Sequence, residues 1–141
     1  MRMLSSRKLS FVAALLLAGG ATAGAQGASH FTLTSADLKP GATIALKNVG
    51  NIMGCPGQNV SPALQWSGAP AGTKSFVVTT YDPDAPTGSG FWHWVVYNIP
   101  ATTTSLSAGA GDPKTGALPA GTTQGNTDLA QPGYIGPCPP A

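Results

Sequence analysis

At 141 residues the chain has room for one domain beyond any leader. Seven basic residues outnumber five acidic ones, but Arg2, Arg7 and Lys8 stand at the extreme N-terminus; from residue 26 onward four lysines face five aspartates, with no arginine and no glutamate. That balance excludes a basic track along a nucleic-acid backbone and leaves any bound anion without a guanidinium fork.

The first element is a leader. Its basic opening is followed by the apolar run Leu9–Ala18 and then by Ala21-Thr22-Ala23 and Ala23-Gly24-Ala25, both of which fit small-residue cleavage sites. Cleavage after Ala25 predicts a signal peptide over 1–25, a mature domain over 26–141 and a periplasmic or secreted product. The apolar run is about half the roughly 20 residues a membrane span requires, so no integral membrane segment is expected after cleavage.

The mature part reads as short β runs between turn clusters, with no helical periodicity. Phe31–Thr34 alternates apolar and polar residues, Lys39-Pro40-Gly41 is a turn, and Thr43–Leu46 is predicted as a second strand. Gly50–Asn59 is a loop, Leu64–Trp66 a short apolar strand, and Ser67–Gly72 a turn. Phe76–Tyr81 and Trp92–Ile99 are the strongest strands, rich in β-branched and aromatic residues, and their near-continuous apolarity predicts burial on both faces. Beyond Pro100 the chain is Thr, Ser, Gly, Ala and Pro, consistent either with disorder or with loops laid over a sheet. The class is all-β, a small antiparallel or mixed sandwich.

Between the strong strands lies Asp82-Pro83-Asp84-Ala85-Pro86-Thr87-Gly88-Ser89-Gly90, stiffened by two prolines. In an extended segment Asp82 and Asp84 would share a side, and His93 follows at the start of the next strand. A carboxylate beside an imidazole favours its cationic form, which can receive an anionic oxygen, while the aspartates orient the histidine or bind a ligand amine or hydroxyl. The competing reading is ordinary turn chemistry, with Asp side chains bonded to nearby backbone and His93 satisfied in the core. Cys55 and Cys138, the only two cysteines, both lie in the exported part, which favours one bridge between them. Two cysteines 83 residues apart and the separate histidines His30 and His93 offer no zinc spacing, and no metal or cofactor is implied. Asp112 and Asp128 sit in Gly-rich surroundings and are expected to be solvated, and Asn59-Val60-Ser61 fits a sequon but is followed by Pro62.

Three segments then carry a resemblance. The string from Asp82 to Pro100, DPDAPTGSGFWHWVVYNIP, resembles the first signature of the phosphatidylethanolamine-binding protein family, in its bacterial Raf-kinase-inhibitor-like branch. Upstream, Asn59-Val60-Ser61-Pro62-Ala63-Leu64-Gln65-Trp66 is similar to the family's N-x-S-P-x-L-x-W segment. Downstream, Gly133–Pro140 resembles the opening of its second signature. The resemblance implies a Greek-key-like β-sandwich with a small pocket at one end for phosphate-like anions and phospholipid head groups. It implies ligand contacts from Asp82, Asp84 and His93, from the Tyr134-Ile135-Gly136 turn and from Pro139, with Phe91 and Trp92 as an aromatic rim. The family's second signature continues into a strand bearing His-Arg-Tyr, which these 141 residues do not contain, so the sandwich is expected to be incomplete at the C-terminus and less stable than a full-length relative.

The expected function is binding of a small phosphorylated or anionic ligand. The alternative is a proteinaceous inhibitor working through the same face against a protease or kinase; export disfavours a cytoplasmic kinase. A hydrolase is disfavoured because no nucleophile elbow is present.

Overall fold

A computed structural model describes residues 30–139; the predicted signal peptide lies outside them. Six strands form two three-stranded antiparallel sheets: β1 (Thr32–Thr34), β2 (Leu64–Ser67) and β5 (Ser105–Leu106) in one, and β3 (Ser75–Asp82), β4 (Phe91–Pro100) and β6 (Thr123–Gln124) in the other. The spatial orders β1-β2-β5 and β3-β4-β6 pair strands distant in sequence, so the chain crosses between sheets, as expected of a Greek-key-like sandwich.

The core forms where the sheets face each other. In β2 the side chains alternate, Leu64 and Trp66 buried and Gln65 and Ser67 exposed, as a strand with one solvated face requires. They meet Trp94, Val96 and Ile99 of β4, all fully buried, with Leu106, Ala110 and Tyr134 closing the cluster. Val96 and Ile99 are three apart and cannot share a face of a regular strand. The ladder slips between them: Tyr97 and Asn98 stand opposite Val77 alone, and Asn98 takes a left-handed φ of 57°. This β-bulge turns Ile99 inward.

Three expectations are corrected. Thr43–Leu46 is not a strand: among the described residues it joins no ladder, Ile44 and Leu46 are exposed, and Leu46–Asn48 forms a 3₁₀ turn. The buried residue there is Asn48, whose Nδ2 donates to the Val60 carbonyl at 2.8 Å. β3 is not buried on both faces: its side chains alternate between half-buried and exposed, and Val77 is 63% exposed. Asp128 is more than solvated, since its Oδ2 accepts from the Trp92 N–H at 2.8 Å.

The tail after Pro100 is laid over the sheets and fastened there. Gly111 N–H donates to the Ser61 hydroxyl oxygen at 2.8 Å, Gly125 N–H to the Val95 carbonyl at 2.8 Å, and Ile135 N–H to the His93 carbonyl at 2.9 Å.

One ionic clip pins the segment after β1. Asp37 Oδ2 accepts from the Ala63 N–H at 2.7 Å, and its Oδ1 pairs with Lys47 Nζ. The Ala63 N–H, and then the Lys47 ammonium, hold the Asp37 carboxyl below the usual carboxylate range. A depressed folded-state pKa contributes stability above the unfolded-state value that is lost as pH falls through the folded one. Asp37→Ala is expected to lower unfolding free energy by about 1.5–3 kcal/mol at neutral pH, and to make the acid limb shallower; urea midpoints near pH 7 and near pH 3 check both.

Candidate functional site

At one end of the sandwich lies a cavity of about 790 Å³. Four segments wall it: the loop Ile52–Pro56, the turn from Asp82 through Thr87, Phe91 and His93 at the start of β4, and Ile135–Pro139 without Pro137. The wall is mostly apolar. Its ionisable side chains are Asp82, Asp84 and His93, and no lysine lines it.

His93 reaches the cavity through a second bulge. Thr80 pairs with Trp94 and Tyr81 with Trp92, so His93 has no partner opposite it and β4 carries one residue more than β3. In a regular strand His93 and Trp94 would point to opposite faces; here both are buried, Trp94 in the core and His93 on the cavity floor. The ring is fixed from behind by Nδ1, 2.8 Å from the Ile135 carbonyl oxygen. A carbonyl only accepts, so Nδ1 carries a proton and donates. Nε2 is then the variable atom. It is buried, has no hydrogen-bond partner, and lies 3.9 Å from Asp82 Oδ2.

Asp82 ends β3, and there the chain turns instead of continuing extended. Asp82 Oδ1 accepts from the Asp84 N–H at 2.9 Å, which is the local turn chemistry that competed with the functional reading. Both descriptions hold together: one oxygen of Asp82 shapes the turn while the other faces His93, and Asp84 is carried to the cavity wall by that turn.

The opposite wall is the second-signature segment, and it corrects the expectation for Tyr134. Its side chain points behind the wall, where the hydroxyl donates to the Asn48 carbonyl at 2.7 Å and the ring packs edge-on against Trp94. Burial pushes the phenol up to about 12. Tyr134 supports the wall, while Ile135, Gly136 and Pro139 line it. Trp92 is likewise not part of the rim; it stacks on Tyr81 with ring centroids 4.5 Å apart, whereas Phe91 lines the cavity.

Asn59 is the residue sequence reasoning undervalued. Its Oδ1 accepts from the Gly136 N–H at 2.8 Å, and its Nδ2 donates to the Tyr134 carbonyl at 3.1 Å. One side chain thus serves both backbone groups of the wall. The left-handed φ of 56° that allows this is tolerated better by Asn than by most non-glycine residues. Its place at the head of the N-x-S-P segment was the available signal.

Cys55 and Cys138 are bridged, with Cα atoms 5.8 Å apart, tying the Ile52–Pro56 loop to the end of the wall. Replacing both by serine is expected to cost about 2–5 kcal/mol by chemical denaturation. Among the described residues no group of three or more His, Cys, Asp or Glu side chains could hold a metal ion, and no helix is long and apolar enough to cross a membrane.

Comparison with known proteins agrees with this geometry. The family model described as phosphatidylethanolamine-binding protein matches residues 34–141. The chain is 52% identical over 113 residues to the UPF0098 protein YbcL of Escherichia coli, covering 80% of this chain and 62% of the relative. It is 54% identical over 108 residues to YbhB of the same organism, covering 77% and 68%; it thus spans about two thirds of the length of these relatives. The crystal structure of E. coli YbcL, titled a new member of the mammalian PEBP family, superposes with a TM-score of 0.76 at 53% identity, covering 78% of this chain and 67% of that one. With the family model matching residues 34–141, two relatives above 50% identity and the two-sheet architecture in agreement, the chain belongs to the phosphatidylethanolamine-binding protein family.

Proposed function

We propose that the protein binds a small phosphorylated ligand carrying an amine, such as a phosphoethanolamine head group, in the Asp82–His93 pocket. The observation that carries this reading is the His93 Nε2 atom, buried, unpartnered and aimed across the floor toward Asp82. A buried polar atom without a partner costs free energy unless a ligand supplies one. As an imidazolium, His93 donates through Nε2 to a phosphate oxygen while Nδ1 stays on Ile135.

The two carboxylates oppose a bare anion. A ligand with a phosphate at one end and an ammonium at the other resolves that conflict, the phosphate on His93 and the ammonium on Asp82 and Asp84. The apolar remainder of the wall, from Ile52 and Met53 to Pro86 and Pro139, suits a non-polar extension of the ligand.

The role is binding, without turnover. Isothermal titration with phosphoethanolamine, inorganic phosphate and ethanolamine tests it. Phosphoethanolamine is expected to bind more tightly than either fragment. Equal binding of phosphate and phosphoethanolamine removes the carboxylates from the ligand; binding of neither removes the site.

We further infer export. The leader-like N-terminus, a disulfide between the only two cysteines, and a Mycobacterium tuberculosis relative bearing a lipoprotein name, 36% identical over 121 residues, support it. Cell fractionation with N-terminal sequencing is expected to find the mature chain outside the cytoplasm, starting at Gln26.

A further inference from the structure

Two successive peptide units of the far wall are gripped from opposite sides by the same two residues. The unit joining Tyr134 to Ile135 gives its C=O to Asn59 Nδ2, at 3.1 Å, and its N–H to the His93 carbonyl, at 2.9 Å. The unit joining Ile135 to Gly136 gives its N–H to Asn59 Oδ1, at 2.8 Å, and its C=O to His93 Nδ1, also at 2.8 Å. A peptide unit is planar, so its C=O and N–H turn together. A rotation that took the Ile135 carbonyl away from the imidazole would therefore also pull the Gly136 N–H off Asn59. The amide of Asn59 and the ring of His93 are coupled through these planes.

The coupling needs an amide. Asn carries a donor and an acceptor at one end of a short side chain, whereas a carboxylate in the same place has no donor for the Tyr134 carbonyl. The side chain is also well aimed. The Asn59 N–H donates to the Val49 carbonyl at 2.8 Å, and the left-handed φ of 56° turns the amide to the wall. At the other end of the coupling, the protonated nitrogen of an imidazole is set by the hydrogen bond that its ring makes. With the Ile135 carbonyl held in place, the proton stays on Nδ1 and Nε2 remains on the cavity floor, 3.9 Å from Asp82.

We propose that Asn59 is a positioning residue of the pocket: through the two peptide units around Ile135, its side-chain amide sets which nitrogen of His93 carries the proton and which one faces the ligand. The effect on the ligand rests on the phosphoethanolamine reading of the pocket, and the effect on the ring does not.

Proton–nitrogen NMR correlations of the imidazole rings test the proposal, and the chain has two histidines, of which His30 is exposed. In the wild type the neutral His93 ring is expected to carry its proton on Nδ1 alone. Asn59→Gly keeps the left-handed backbone accessible and removes both side-chain bonds. It is expected to give a mixture of the two tautomers and to weaken phosphoethanolamine binding about tenfold. Asn59→Asp keeps an acceptor for the Gly136 N–H and loses the donor; it is expected to move the ring in the same direction, and it carries the test should the glycine variant not fold. Asp37→Ala breaks the clip to Ala63 and Lys47 and is expected to leave the ring as in wild type. A His93 ring unchanged in the folded Asn59 variants overturns the proposal, as does an equal change in Asp37→Ala, the mark of general loosening. A ring that changes while phosphoethanolamine affinity holds overturns the step from ring to ligand. A wild type that does not bind phosphoethanolamine overturns the ligand reading, and the ring signals then decide the role of Asn59 by themselves.

Discussion

Replacing His93 with alanine is expected to weaken phosphoethanolamine binding by roughly ten- to hundredfold, the equivalent of one charge-assisted hydrogen bond of about 1.5–3 kcal/mol. Among the described residues lining the cavity, the substitution removes the one basic side chain that could donate to a phosphate and leaves Asp82 and Asp84 facing the ligand alone. It also orphans the Ile135 carbonyl, which His93 Nδ1 serves at 2.8 Å, so part of any loss could arise from a loosened wall. One measurement separates these causes. Near-UV circular dichroism of Tyr134 and Trp94, which pack against each other behind the wall, should remain unchanged. A variant with wild-type affinity and native circular dichroism would remove His93 from the ligand.

Gly136→Ala is expected to be strongly destabilising, with a loss of at least about 3 kcal/mol in urea unfolding, or failure to accumulate as a folded protein. A Cβ at position 136 would sit 2.3 Å from the Asn48 carbonyl oxygen and 2.5 Å from the Gly50 nitrogen. Both are backbone atoms that no rotamer change can move. Gly50 is subject to the reciprocal limit, its own Cβ meeting the Gly136 oxygen at 2.6 Å. The two backbones thus pass in near contact, stitched by the Gly50 N–H to the Pro137 carbonyl at 3.0 Å and by Asn59 to Gly136. Forcing them apart would break those bonds, displace Ile135 and so release His93. Gly116→Ala is a fitting control: nothing lies within 4 Å of its Cβ, so its cost is confined to the positive φ. Equal stabilities for the two variants would show that the wall yields more readily than its packing indicates.

These two positions illustrate how differently the site's residues could be read. Asp82, Asp84 and His93 were legible because their chemistry is local. Two prolines and two aspartates make a stiff turn between two strongly β-forming runs, and a histidine three residues after that turn's last glycine must lie near it once the strands pair. The Cys55–Cys138 pairing was legible as well, since two cysteines behind a leader-like N-terminus have one bridge to form. The β class followed from the sequence, as did the location of β1 from its alternation and of β2, β3 and β4 from their apolar, β-branched and aromatic runs.

What sequence could not supply depends on partners distant along the chain. That His93 faces the cavity is decided by an unpaired residue in the β3–β4 ladder, and a one-residue slip leaves no local composition mark. Tyr134 belongs to the same signature as Ile135 and Gly136, yet its ring turns inward because the Asn48 carbonyl, 86 positions earlier, waits there to accept its hydroxyl. Asn59 looked like a sequon and proved to be the clamp on the far wall, 77 residues away. Thr43–Leu46 has the composition of a strand but joins no ladder among the described residues, and an unpaired segment has nothing to hold it extended. Local chemistry therefore determined which residues stand ready to act and which segments become strands. Tertiary structure decided which way each one points, because direction is set by register, bulges and long-range hydrogen bonds that only the assembled chain brings into existence.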